Sequence, residues 1–200
     1  MTTDAKPDGI TPSQTVGPFF HFMLAPKTYG FPEIFTNQVA TPDAVGERIR
    51  VEGYVMDGDG EPIIDALLEV WQPDGEGHFA TGDGQAGSNA AFTGFGRCEV
   101  DSNGFFSFET VKPGRVPGPN GALQAPHIDL SILARGVIRR LFTRVYFEGD
   151  PANEGDPILG FVPEDRRGTL IAKKADRGGH VAYVFNVRLQ GEGETVFFSS

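Results

Sequence analysis

The chain has 200 residues, of which 39% are hydrophobic and 22% charged, a composition typical of a globular domain rather than a disordered segment. Its formal net charge of -10 argues against nucleic-acid binding, because an acidic protein repels a phosphate backbone. Cys98 is the single cysteine, so no intrachain disulfide can form, and without a leader-like N-terminus or a long apolar run we expect a cytoplasmic protein.

The first 46 residues are rich in Pro, Thr and Gly, with scattered aromatic residues such as those in TPSQTVGPFFHF. This pattern is typical of an ordered arm laid across a surface rather than of a strand or helix, and such arms often reach a neighbouring chain. We therefore predict an arm at 1–46 that packs on a partner chain, followed by one folded domain at 47–200.

Regular structure is predicted to begin at Arg48, where RIRVEGYVM alternates polar and apolar residues as a half-buried strand does. The turn residues DGDG follow, and then PIIDALLEVWQ, a short apolar run that favours a buried strand. The Gly-rich segment 75–96 predicts a long irregular loop.

Beyond that loop, GRCEVD and FFSFETV are predicted to form a strand pair around a turn at Ser102–Gly104. A second loop, rich in Pro and Gly, leads into the strand HIDLSIL. Further strands are predicted at RRLFTRVYF, HVAYVFNVRLQ and ETVFF, with a possible short helix near 163–169. No helical pattern is long enough to form a layer, so we predict an all-β fold, an antiparallel β-sandwich with long loops.

Few residues in this pattern point to chemistry on their own. No two of the four histidines have the spacing of a local metal clamp. His127 and Asp129 would lie on one face of a strand and could supply two ligands, but a histidine hydrogen-bonded at a loop-to-strand corner is the favoured interpretation. No serine lies in a G-x-S-x-G elbow, and the glycine clusters are typical of turns.

Four arginines, Arg135, Arg139, Arg140 and Arg144, lie close together in an otherwise acidic chain. They could bind an anionic substrate or form ion pairs with acidic loops, and the residues alone favour the structural role.

Several blocks of residues resemble the intradiol ring-cleaving dioxygenase family. PIIDALLEVWQPDGEGHF resembles its core strand and following loop, and further blocks follow in the family's order: GFGRCEVDSNGFFSFETVKPG, APHIDLSI, TRVYFEGDP and RLQGEGETVFF. The likeness runs from about Thr11 to Phe198. It implies the family's β-sandwich, whose core is also similar to that of transthyretin-like domains.

The resemblance also implies a non-haem Fe(III) held by two tyrosines and two histidines, and the sequence departs from that pattern. Phe79 and Val116 stand at the positions that resemble the two tyrosines. His127 and Asp129 match the histidine pair, and Gln124 stands where an arginine is expected. This degenerate set lacks the ligand number and hardness that ferric iron needs, so we predict no metal site and no catalytic residue on this chain alone.

A degenerate site in an otherwise faithful scaffold is similar to the non-iron α subunit of the heteromeric members of the family. The resemblance implies an iron-bearing β subunit as partner, in an assembly of α–β units. It also implies protocatechuate (3,4-dihydroxybenzoate) and O2 as substrates and 3-carboxy-cis,cis-muconate as the product of a β-ketoadipate catabolic route. Thr15 and Pro18 in the arm, with Arg135, match the residues that line the partner's substrate pocket.

Two alternatives stay open at this point. The chain could be a self-sufficient iron dioxygenase with ligands at unrecognised positions, for instance Tyr146 together with His127. It could instead be a non-catalytic binding module of the transthyretin-like type, which would need no partner.

Overall fold

The computed structural model describes residue 17, residues 19–80 and residues 91–199, which form a fold made mostly of strands with a few short helices. The strands of this part are β1 (Arg48–Met56), β2 (Leu67–Trp71), β3 (Phe95–Glu99), β4 (Phe105–Val111), β5 (His127–Leu133), β6 (Leu141–Phe147), β7 (Ile171–Asp176), β8 (Val181–Val184) and β9 (Val187–Arg188). The α-helices are α1 (Phe19–Leu24) and α2 (Glu164–Arg167). Short 3-10 helices lie at Pro26–Tyr29, Pro119–Gly121, Pro151–Gly155, Leu159–Phe161 and Gly168–Leu170. In the part described, no helix is both long and apolar enough to span a membrane.

The strands join into one sheet in the order β3-β2-β5-β6-β7-β8-β1-β4, and β9 pairs with β1 beyond β8. Most pairings are antiparallel, but β1 runs parallel to β8 and β9, and β6 runs parallel to β7. The predicted antiparallel arrangement therefore holds for most strand pairs but not for these three. Parallel neighbours need a long crossover, and the connection between β6 and β7, which contains α2, provides one.

The sheet is nearly closed, because its two end strands, β3 and β4, are consecutive in the chain. The turn between them is held by Asp101, whose carboxylate accepts hydrogen bonds from the backbone N–H groups of Asn103 (2.7 Å) and Phe105 (3.0 Å). Gly104 has the positive φ (75°) that this turn requires. The sequence predicted that β3 and β4 pair with each other. Instead β3 pairs with β2, and β4 pairs with β1.

A segment of the predicted arm lies along both end strands. The carbonyl of Thr36 accepts a hydrogen bond from the Arg97 N–H of β3 (2.9 Å), and the Val39 N–H donates to the carbonyl of Glu109 in β4 (2.9 Å). Backbone N–H and C=O groups at these two sheet edges thereby find some of their hydrogen-bond partners.

The arm also contains a helix that the sequence did not predict. In α1, Phe20 is buried against Ala25 and Leu67, and the Ala25 N–H donates to the carbonyl of His21 (2.8 Å). An apolar contact of this kind stabilises a helix too short to form alone.

The other predicted elements are partly confirmed. β1, β5 and the short helix at α2 lie where they were predicted, whereas the predicted strand at residues 62–72 begins only at Leu67. The predicted strand HVAYVFNVRLQ is divided into β8 and β9, ETVFF forms no strand, and β7 was not predicted.

The main core lies inside the sheet and is built from the alternating apolar residues of its strands. Among the largest fully buried side chains are those of Phe106, Phe108, Ile128, Leu130 and Phe147. The resulting rigid frame positions the residues at the start of β5 and the facing end of β6.

Candidate functional site at the start of β5

The candidate site lies where the Pro-rich loop enters β5 and faces β6. The antiparallel register pairs His127 with Tyr146 and Asp129 with Arg144. Since residues two apart in a strand point to the same face, these four side chains share one face of the sheet.

His127 is buried and fixed in one tautomer. Its Nδ1 lies 2.8 Å from the carbonyl oxygen of Ala125, and a carbonyl can only accept, so Nδ1 carries the proton. Burial, followed by the positive charge of Arg144, holds the pKa of the imidazole below its usual value. The ring is therefore neutral at pH 7, hydrogen-bonded at the loop-to-strand corner as the sequence predicted.

Asp129 shares its surroundings with a guanidinium. Its Oδ1 lies 3.2 Å from Nε of Arg144 and 3.8 Å from Nε2 of His127, without forming a hydrogen bond to either. Burial raises the pKa of this carboxyl group, and the charges of His127 and Arg144 oppose that shift. The adjacent guanidinium favours the ionised form of the group.

Gln124 completes this arrangement. Its side-chain oxygen accepts a 2.7 Å hydrogen bond from Nη1 of Arg144, and its amide nitrogen donates to the carbonyl of Pro117 (3.1 Å). Arg144 thus joins the loop before β5 to the carboxylate on β5, and it is itself mostly buried, with 16% of its side chain exposed.

Tyr146 is also committed to an internal partner. It is fully buried, and its hydroxyl donates to Oδ1 of Asp156 (3.0 Å). The same carboxylate accepts from the backbone N–H groups of Ala125 and Leu159, both at 2.7 Å. Burial raises the pKa of the Tyr146 phenol well above its ordinary value. The alternative in which Tyr146 supplies a phenolate ligand beside His127 therefore finds no support.

The two positions that resemble the family's tyrosines carry no oxygen donor. Phe79 stacks on Trp71, with ring centroids 5.8 Å apart and planes inclined by 10°. Val116 is buried, and its backbone carbonyl accepts a hydrogen bond from the Gln124 N–H (2.9 Å).

Arg135, one of the predicted pocket residues, lies away from this site. Arg135 lies two residues beyond the far end of β5, a strand about 20 Å long that begins at His127, and it forms an ion pair with Asp65. Its side chain is 64% exposed, which leaves it open to a neighbour. Thr15 and Pro18 lie outside the described residues.

The side chains around His127 do not fit Fe(III). Among the described residues, no three His, Cys, Asp or Glu side chains are grouped so that they could hold a metal ion. The donors that do meet are one imidazole and one carboxylate, and a permanent cation lies 3.2 Å from the carboxylate.

Sequence reasoning brought Gln124, His127 and Asp129 together but missed the roles of Arg144 and Asp156. The pairing of HIDLSIL with RRLFTRVYF was the available signal for Arg144, because that register sets it opposite Asp129. Asp156 lies in an irregular stretch, and no strand pattern could have placed it beside Tyr146.

Comparison with known proteins agrees with this geometry. The model of a protein family described as Dioxygenase matches residues 31–191. The chain is 48% identical over 195 residues to the protocatechuate 3,4-dioxygenase alpha chain of Burkholderia cepacia, covering 94% of this chain and 96% of the relative. It is 35% identical to the beta chain from the same organism, covering 82% of this chain and 73% of the relative.

A solved structure is also similar across nearly the whole fold. The dioxygenase domain of a dioxygenase and carbohydrate-binding fusion protein from Streptomyces sp. SirexAA-E superposes with a TM-score of 0.58 at 25% identity. The match covers 90% of this chain and 98% of that domain.

Proposed function

Because the chain belongs to the intradiol ring-cleaving dioxygenase family, we propose that it is the non-iron α subunit of a protocatechuate 3,4-dioxygenase. The assembled enzyme would cleave protocatechuate with O2 between its two hydroxylated carbons, giving 3-carboxy-cis,cis-muconate in the β-ketoadipate route of aromatic catabolism. The greater identity to an alpha chain (48%) than to a beta chain (35%) supports this assignment. The similarity spans nearly the full chain, which disfavours a transthyretin-like binding module.

The observation that carries the proposal is the degenerate site. Enzymes of this family depend on non-haem Fe(III). In this chain Phe79 and Val116 offer no phenolate, and Asp129 is paired with Arg144. The iron is therefore assigned to a β subunit, and the residues at the start of β5 shape this chain rather than bind the metal.

The contribution of this chain to the partner's pocket would come from two regions. Arg135 is a largely exposed cation that could attract the carboxylate of protocatechuate. Thr15 and Pro18 would reach the same pocket from the arm.

Packing of the 1–46 arm on the partner is supported by its exposed apolar side chains. Phe19, Met23 and Ile34 are 82%, 69% and 78% exposed in this chain, and a partner surface would bury them. The chain would then divide into this arm and one domain at 47–200, whose nearly closed sheet would be the family's sandwich. The cytoplasmic location stays a prediction.

The test is expression of this chain alone, of a beta-type chain alone, and of both together. Ring cleavage is followed by the formation of 3-carboxy-cis,cis-muconate, and iron is measured in each purified product. We expect little activity from the single chains and full activity, with bound iron, after co-expression. Activity in this chain alone would overturn the proposal.

A further inference from the structure

The start of β5 has the features of half a metal site. The Ala125 carbonyl holds the proton on Nδ1 of His127, so the lone pair is on Nε2. Metal-ligating histidines have this support, because the hydrogen bond fixes both the tautomer and the ring. Nε2 lies 3.8 Å from Oδ1 of Asp129, a buried carboxylate oxygen that accepts no hydrogen bond.

A guanidinium lies beside the carboxylate of this pair. Nε of Arg144 is 3.2 Å from the same Asp129 oxygen, and Nη1 donates to the side-chain oxygen of Gln124 (2.7 Å). Gln124 would otherwise offer a third donor. Arginine keeps its charge throughout the accessible pH range, so an incoming cation meets a fixed positive charge.

We propose that Arg144 is a built-in cation that replaces the metal in this chain, neutralising Asp129, occupying Gln124 and keeping metal ions away from His127. The inference rests on the proposed function in one respect, that this chain leaves iron to a partner. On this proposal, metal binding is prevented by an added positive charge as well as by the loss of ligands.

The direct test is Co²⁺ binding to the full-length chain, measured by equilibrium dialysis and by the visible absorption of the bound ion. Arg144→Gln removes the charge and leaves the donors in place. Two cations a few ångströms apart repel strongly even at a high effective dielectric constant, so we expect Co²⁺ to bind at least about tenfold more tightly than to the wild-type chain. Equal Co²⁺ binding by the two proteins would overturn the proposal.

Two control variants locate the effect. Arg139→Gln removes an exposed arginine from the segment before β6 and should leave Co²⁺ binding unchanged. Adding His127→Asn to Arg144→Gln should abolish the gain, because the imidazole ligand is lost. A gain that survives in that double variant would place the ion elsewhere and contradict the proposal. Ring cleavage enters none of these readouts, so failure of the proposed function would be seen separately.

If Arg144→Gln is too unstable for dialysis, its stability tests the charge balance instead. Arg144→Gln leaves Asp129 as an unpaired buried carboxylate, whereas the double variant with Asp129→Asn does not. We expect the double variant to have a higher urea midpoint than the single variant. An equal decrease of the urea midpoint in both variants would overturn the role of Arg144 as the counter-ion of Asp129.

Discussion

Tyr146 links β6 to the irregular segment that follows it and makes the stability of the protein depend on pH. Its buried hydroxyl donates to Asp156, and burial raises the pKa of the phenol above the value of about 10 found in unfolded chains. Below pH 10 the phenol is protonated in both states, so its contribution is fully present. As pH rises further, the unfolded chain ionises Tyr146 and the folded chain does not, and stability is lost.

We predict that Tyr146→Phe removes this part of the alkaline destabilisation. Above pH 10 the difference in unfolding free energy between wild type and variant should change in favour of the variant, by at most about 1.4 kcal/mol per pH unit. Urea unfolding at a series of pH values measures it. A difference that stays constant from pH 8 to above 11 would contradict the account.

Arg135 is predicted to act in substrate binding. In the assembled enzyme, Arg135→Ala should raise KM for protocatechuate by about tenfold and lower kcat less, because a group that attracts a carboxylate acts mainly in the ground-state complex. Steady-state kinetics measures the two constants. Arg139→Ala is the matched control, and an unchanged KM in the Arg135 variant would remove this residue from the pocket.

For individual residues, the sequence was informative where side chains alternate between the two faces of a strand. His127 and Asp129 were predicted to share a face, and they do. Arg144 and Asp156 were not assigned, because their roles depend on strand register and on a loop that returns to the sheet. The pocket roles of Thr15, Pro18 and Arg135 rest on resemblance and stay predictions.

Among the elements, the strands β1, β4 and β5 lie where the sequence predicted them. Buried residues alternate along most of β4, whereas β1 and β5 contain runs of consecutive buried residues. The strand predicted at 180–190 is interrupted at Phe185 and Asn186. There Phe185 approaches Gly53 of β1 closely, and the Asn186 side chain, rather than a backbone carbonyl, accepts a hydrogen bond from the Tyr54 N–H (3.1 Å). ETVFF forms no strand ladder because part of its backbone hydrogen-bonds to a side chain instead of to another backbone. The Thr143 hydroxyl donates to the carbonyl oxygen of Val196 (2.7 Å). Contacts between distant segments decide such cases.

The approach of Phe185 to β1 depends on Gly53. A Cβ atom at residue 53 would lie 1.9 Å from the Phe185 carbonyl oxygen, so Gly53→Ala forces two backbone segments apart. We predict a loss of about 3 kcal/mol or more in unfolding free energy, measured by urea denaturation. Gly155→Ala is the control, because a Cβ there meets nothing within 4 Å. Equal urea midpoints for the two variants would show that β1 tolerates the side chain.

Across the whole molecule, the family scaffold is kept, while the side chains described around His127 do not fit the family's Fe(III). The sheet that holds His127 in place is nearly closed and well packed, and the likeness to known dioxygenases covers almost the full chain. The positions that would supply phenolates are apolar, and a guanidinium pairs with the remaining carboxylate. An all-β fold could be predicted from composition and periodicity, whereas the parallel pairings could not, because they depend on long connections.

The division of labour between two chains is tested most directly by locating the iron in the assembled protein. Anomalous scattering at the iron edge in crystals of the complex gives its position and number. The account predicts one iron per pair of chains, bound by the partner, with none within bonding distance of His127 or Asp129 of this chain. Iron bound at His127 would contradict it.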